Sequence, residues 1–128
     1  MNIITHNKIN RELCGNPIEL KDGFCRIELL TTEQMSVDEF KLVHGGFVFG
    51  LADHAAMLAV NDPNVVLAQA SVSFLKPVQP DEILIAEAHV KNVEGKKQIV
   101  HVSVLRNEDI VFKGEFVCFT LKKHVLDS

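Results

Sequence analysis

The sequence predicts an α+β domain in which one antiparallel sheet curls around a single, almost wholly apolar helix. Three observations carry this. The run Gly45 to Val60, GGFVFGLADHAAMLAV, holds one carboxylate and no lysine or arginine, so a helix formed by it needs cover on more than one side. From Val65 onward the hydrophobic period becomes that of strands, in segments 65–75, 83–93, 99–106 and 111–121. The breaks between them are Lys76-Pro77-Val78-Gln79-Pro80, Glu94-Gly95-Lys96 and Asn107-Glu108-Asp109. These are turn sequences, and short turns join antiparallel neighbours.

The elements before the helix follow from the same signals. Residues 7–13 form a short helix that stops near Gly15-Asn16-Pro17. Residues 24–30 form a strand, with Phe24, Arg26, Glu28 and Leu30 on one side and Cys25, Ile27 and Leu29 on the other. Residues 31–43 are polar and irregular. The apolar helix begins after His44 and is closed by Asn61-Asp62-Pro63. The order is therefore strand, buried helix, four meandering strands, with a second copy of the molecule supplying cover that one sheet cannot.

With 128 residues, 47% hydrophobic and 23% charged, the chain is expected to be one domain, residues 1–20 forming a short segment ahead of its main body. A net charge of −4 argues against nucleic acid as the main partner, because no basic excess exists to neutralise phosphates. Cys14, Cys25 and Cys118 lack metal or redox spacing and read as reduced thiols, which suits a cytoplasmic protein. Residues 1–13 have no signal-peptide character, and the apolar run is too short for a membrane span. No metal is expected, since His89 and His101 lie in strands without ligand spacing, and no cofactor is implied.

The chemistry centres on Asp53. An ionised carboxylate on a buried helix costs several kcal/mol, about the worth of a few hydrogen bonds, unless it is paired or used. Gly45 and Gly46 open the same helix with free backbone N–H groups, suited to an anion or a polarised carbonyl. A lone acid and an anion hole point to a small hydrolase. Gly46 and Asp53 are seven residues apart, about 10 Å along a helix, too far to grip one carbonyl together. Two antiparallel helices of a two-fold dimer would bring one chain's glycines near the other's Asp53.

The stretch His44-Gly-Gly-Phe-Val-Phe-Gly-Leu-Ala-Asp53 resembles the H-G-G-x-x-x-x-L-x-D signature of the hotdog-fold acyl-CoA thioesterases, in their PaaI-like branch. Ser71-Val-Ser-Phe-Leu-Lys-Pro77, followed by Pro80-Asp-Glu, is similar to the strand after the central helix in that family. The resemblance covers about residues 20–121. It implies a sheet of five or six strands around one long central helix, homodimers joined sheet edge to sheet edge, and acyl-CoA in clefts at the seam. A further stacking of two dimers is compatible with it. In this reading Asp53 is the general base or nucleophile and Gly46, with Gly45, the oxyanion donor. His44 caps the helix or holds the glycine loop, and Ser71 and Ser73 lie where a water or the pantetheine arm would bind. Relatives often carry Asn six residues before the His; this chain has Asp38, which cannot donate a hydrogen bond when ionised. Ala68 falls where some relatives place a hydroxyl.

Two functions remain open at this level: a thioesterase, or a non-catalytic acyl-CoA-binding regulator on the same fold. The second is suggested by Glu108-Asp-Ile-Val-Phe-Lys-Gly-Glu-Phe116, which resembles the effector domain of malonyl-CoA-sensing repressors.

Overall fold

A computed structural model describes residues 1–127. A short helix α1 (Arg11–Cys14) leads into β1 (Asn16–Lys21) and β2 (Phe24–Leu30). A 3-10 turn (Glu33–Met35) and loop precede the central helix α2 (Gly45–Val60). Strands β3 (Val65–Phe74), β4 (Ile83–Glu94), β5 (Lys97–Arg106) and β6 (Asp109–Thr120) follow. All six strands form one antiparallel sheet in the order β1-β2-β4-β5-β6-β3, the hotdog arrangement.

The alternation expected for residues 24–30 holds: Cys25, Ile27 and Leu29 are buried. They are in register with Ala88, Ala86 and Leu84 of β4. The rows continue through Val102 and Val104 of β5 to Gly114 and Phe112 of β6. One unbroken apolar face results, and α2 packs its Val48, Leu51, Ala52, Ala55 and Ala59 into it. Alanine at this spacing lets the helix axis approach the sheet closely. At Gly114 a Cβ would lie 2.6 Å from Val72 Cγ1, so glycine there allows β3 to close on β6.

One strand differs from expectation. Asn16-Pro17, read as a helix stop, also opens β1. Proline has no N–H for a ladder, so it is tolerated only where no partner strand needs one. Here β1 is an edge strand, with an irregularity in its pairing between Pro17 and Glu19. The other edge is β3, whose outer side has no partner strand along its ten residues among the described residues.

Candidate functional site

The start of α2 is held from two directions. Val43 N–H donates to Val78 O at 2.8 Å and His44 N–H to Met35 O at 2.9 Å. His44 is the N-cap: its Nδ1 accepts the Gly46 N–H at 2.6 Å. That bond requires an unprotonated Nδ1. It also commits the Gly46 N–H, the expected oxyanion donor, to the helix's own cap. The Gly45 N–H has no acceptor among the described residues. A cleft of about 310 Å³ opens beside Gly45, walled by Leu42, Val48, Phe74, Pro77 and Val111, with Lys76 at its rim.

Asp53 lies two turns further on. It shares a helix face with Gly46, Phe49 and Gly50, at the i−7, i−4 and i−3 positions. This face is the helix's only partly exposed stripe, while most of the remaining surface is buried. Asp53 Oδ1 is buried and has no hydrogen-bond partner among the described residues. Burial pushes its carboxyl up to about 6. A buried polar atom without a partner is uncommon enough in folded proteins to call for a role. Its charge also acts on two thiols: burial and then Asp53 raise Cys14, and the same pair of causes carries Cys118 up to about 12.

His54, one position on, turns into the core beneath α1. Its Nδ1–H donates to Cys14 O at 3.1 Å. Burial depresses its basicity, with the hydrogen bond opposing. It is a core histidine, 2% exposed.

Other expected site residues are not brought to this stripe. Ser71 and Ser73 point away from the helix. Their neighbours Ala70 and Val72 pair with Phe116 and Gly114 on the concave face, so the serines have the opposite parity. They share a shallow outer groove with His101, Ser103, Lys113 and Glu115. Within one chain, then, they do not reach a thioester at Asp53. Asp38 closes its own loop, Oδ1 accepting from Phe40 N at 3.0 Å and Leu42 N at 3.1 Å. Asn could make the same two bonds, since both use a side-chain oxygen. Ala68 is exposed at the irregularity between Leu67 and Gln69.

Two features depend on the tertiary arrangement. The Phe49 ring sits 5.5 Å from Phe116 and 6.4 Å from Phe112, against the sheet next to Asp53. Its i,i+4 relation to Asp53 was the available signal. The second is the choice of Gly45 over Gly46, which depends on the side-chain conformation of His44.

Comparison with known proteins agrees with this architecture. The family described as the thioesterase superfamily matches residues 40–113, more than half of the chain. The chain belongs to that superfamily. Among solved structures, an uncharacterized protein of Pyrococcus horikoshii is 52% identical with a TM-score of 0.98, covering 99% of this chain and 98% of that one. A hypothetical thioesterase protein of Streptococcus pneumoniae, crystallised with coenzyme A, shares the fold at 20% identity and a TM-score of 0.76, covering 85% of this chain and 87% of that one. Methylthioribose-1-phosphate isomerase of Aquifex aeolicus is 51% identical over 91% of this chain, but only 25% of its own length. The transcription factor FapR of Caldanaerobacter subterraneus is 28% identical over 92% of this chain and 60% of its own. The chain thus spans from a quarter to about three-fifths of these curated relatives.

No helix among the described residues is long and apolar enough to cross a membrane.

Proposed function

We propose that the protein is a homodimeric acyl-CoA thioesterase with its sites at the seam between two copies. The observation that carries this is Asp53, whose Oδ1 is buried without a partner among the described residues on the partly exposed stripe of α2. A carboxyl titrating at about 6 is mostly ionised at neutral pH and still basic enough to take a proton from water. The superfamily match and a CoA-bound fold neighbour support the substrate class.

In this reading the unpaired edges of β3 join across a two-fold axis. The thioester carbonyl accepts a hydrogen bond from the Gly45 N–H of the partner subunit, with the positive end of that helix behind it. Gly46 joins only if His44 turns aside. Asp53 takes a proton as water oxygen bonds to the carbonyl carbon, and the C=O electrons become the oxyanion. The oxyanion reforms the carbonyl, the C–S bond breaks, and the leaving thiolate receives the proton from Asp53. A carboxylic acid and free CoA result. The test is thiol release from acyl-CoAs of graded chain length. Absence of release from every one, alongside an acyl-CoA-dependent rise in melting temperature, overturns the thioesterase.

That outcome would favour the second reading, an acyl-CoA-binding regulator, which rests on the similarity to FapR over 92% of the chain.

Phe49 sets an expectation for specificity. Its ring lies against Phe112 and Phe116 of β6, one helical turn from Asp53, where an acyl chain beside Asp53 would meet it. Phe49→Ala is expected to move the preferred acyl group to longer chains. The half-exposed ring's removal also costs roughly 2–4 kcal/mol, readable by urea unfolding. An unchanged chain-length profile places the acyl chain elsewhere.

A further inference from the structure

At the opposite end of α2 from Gly45, two segments outside the sheet converge. Residues 4–8 are tied to the helix end: Ile4 N–H donates to Asn61 Oδ1 at 3.0 Å, and Asn61 Nδ2 donates to Asn2 O at 2.8 Å. Residues 121–125 leave β6 and are held to the start of β3, where Asn64 Nδ2 donates to Leu121 O at 3.2 Å. Between them lies a cleft of about 430 Å³ lined by Thr5, His6, Lys8, Asn64 and His124.

The cleft is lined by one lysine and two imidazoles and by no carboxylate, on a chain of net charge −4. Lys8 is in its wall, and Lys122 and Lys123 directly precede His124. None of the three makes an ion pair among the described residues. His124 Nδ1 accepts the Leu126 N–H at 3.0 Å, which leaves Nε2 as the ring's donor. The carboxylate built into the adjoining turn, Asp62, is engaged by the Asn64 N–H at 2.8 Å. The exposed Lys8 ammonium and the His124 Nε2–H suit a phosphate, while the Thr5 hydroxyl is held 2.8 Å from His6 Nδ1 and the Asn64 amide is spent on Leu121 O.

The position of the cleft gives it a partner site. Antiparallel pairing of β3 with its own two-fold copy sets the Val65 end of one chain beside the Phe74 end of the other. Phe74 borders Gly45, since a Cβ at Gly45 would lie 3.0 Å from its ring. On its own chain the cleft adjoins Asn61, eight residues or about 12 Å along the helix from Asp53. The cleft therefore flanks the seam at some distance from the reacting carbonyl.

We infer that this cleft is a phosphate-binding subsite, holding the nucleotide phosphates of a CoA thioester whose carbonyl lies between Asp53 and the partner subunit's Gly45. The inference rests on the thioesterase reading for its substrate and is testable apart from it. The double variant Lys8→Glu/His124→Glu is compared with wild type and with Lys91→Glu, a charge reversal on β4. For acyl-CoA the double variant raises KM about tenfold or more at unchanged kcat, as expected for losing charge-assisted bonds. Acyl-pantetheine, which carries no phosphate, serves as the reference substrate and responds equally in all three proteins. An unchanged KM, the same rise in Lys91→Glu, or a parallel loss with acyl-pantetheine overturns the subsite. Titration with adenosine 3′,5′-bisphosphate covers the case in which no thioester is hydrolysed. Wild type then binds it in a salt-sensitive manner and the double variant binds about tenfold more weakly, whereas equal or no binding by both overturns the subsite.

Discussion

Asp53→Asn is expected to lower thioester hydrolysis by about 10²–10⁴-fold while acyl-CoA binding persists. Asn keeps the shape of the side chain but takes no proton from water. In the unsubstituted protein kcat/KM should rise with pH through the Asp53 titration, half-maximal near the carboxyl's value of about 6. The same group has a stability signature of opposite sense. Its folded pKa lies above its ordinary value of 3.8, so the folded state binds the extra proton between the two. Asp53 therefore weakens the fold as pH rises through that window, and its cost is fully present above about 6. The amide removes this cost. Asp53→Asn should be more stable than the parent at pH 7 by up to roughly 3 kcal/mol, with the gap closing below pH 4. Denaturant unfolding at pH 4 and 7 reads the second effect, and steady-state kinetics the first. Full hydrolysis in Asp53→Asn would remove Asp53 from the mechanism.

The second large effect concerns the oxyanion. Gly45 is the first helical position, where proline is well tolerated because its missing N–H had no intrahelical acceptor. His44 already has φ −59° and ψ 130°, the conformation a following proline demands. Gly45→Pro thus deletes the proposed donor while keeping the helix start. Hydrolysis should fall about 10²–10³-fold. Gly45→Ala keeps the N–H and only presses the Phe74 ring, so most activity should remain. Because each site takes one residue from each chain, mixing the Asp53→Asn and Gly45→Pro proteins after joint refolding should restore about a quarter of parental activity. Half of the dimers are then mixed, with one intact site of two. No recovery on mixing would place both groups in one chain.

The legible parts of this fold are those decided locally. The limits of α2 at Gly45 and Val60 agree with the sequence reading because His44 supplies a cap and Asn61 stops the helix, taking φ 50°. Strands β3 to β6 agree within two residues because their turns carry their own signals. β1 was hidden by Pro17, which marks a helix stop and an edge strand equally well. The carboxylate at Asp53 stood out from composition alone. The alternation of Ser71 and Ser73 gave them a common face without saying which one.

By itself the amino-acid order determined a buried helix with one acid and two glycines, a following run of antiparallel strands, and a membership in one family of folds. These follow from periodicity, turn chemistry and the expense of a buried charge, all of which act over a few residues. Only tertiary structure decided that β3 crosses to pair with β6 and becomes a free edge, that Ser71 and Ser73 face outward, and that Asp38 closes its own loop. It also decided that His44 occupies the Gly46 N–H and leaves Gly45 free. Each of these depends on long-range strand pairing or on a side chain's choice among competing partners, and neither is written in local pattern.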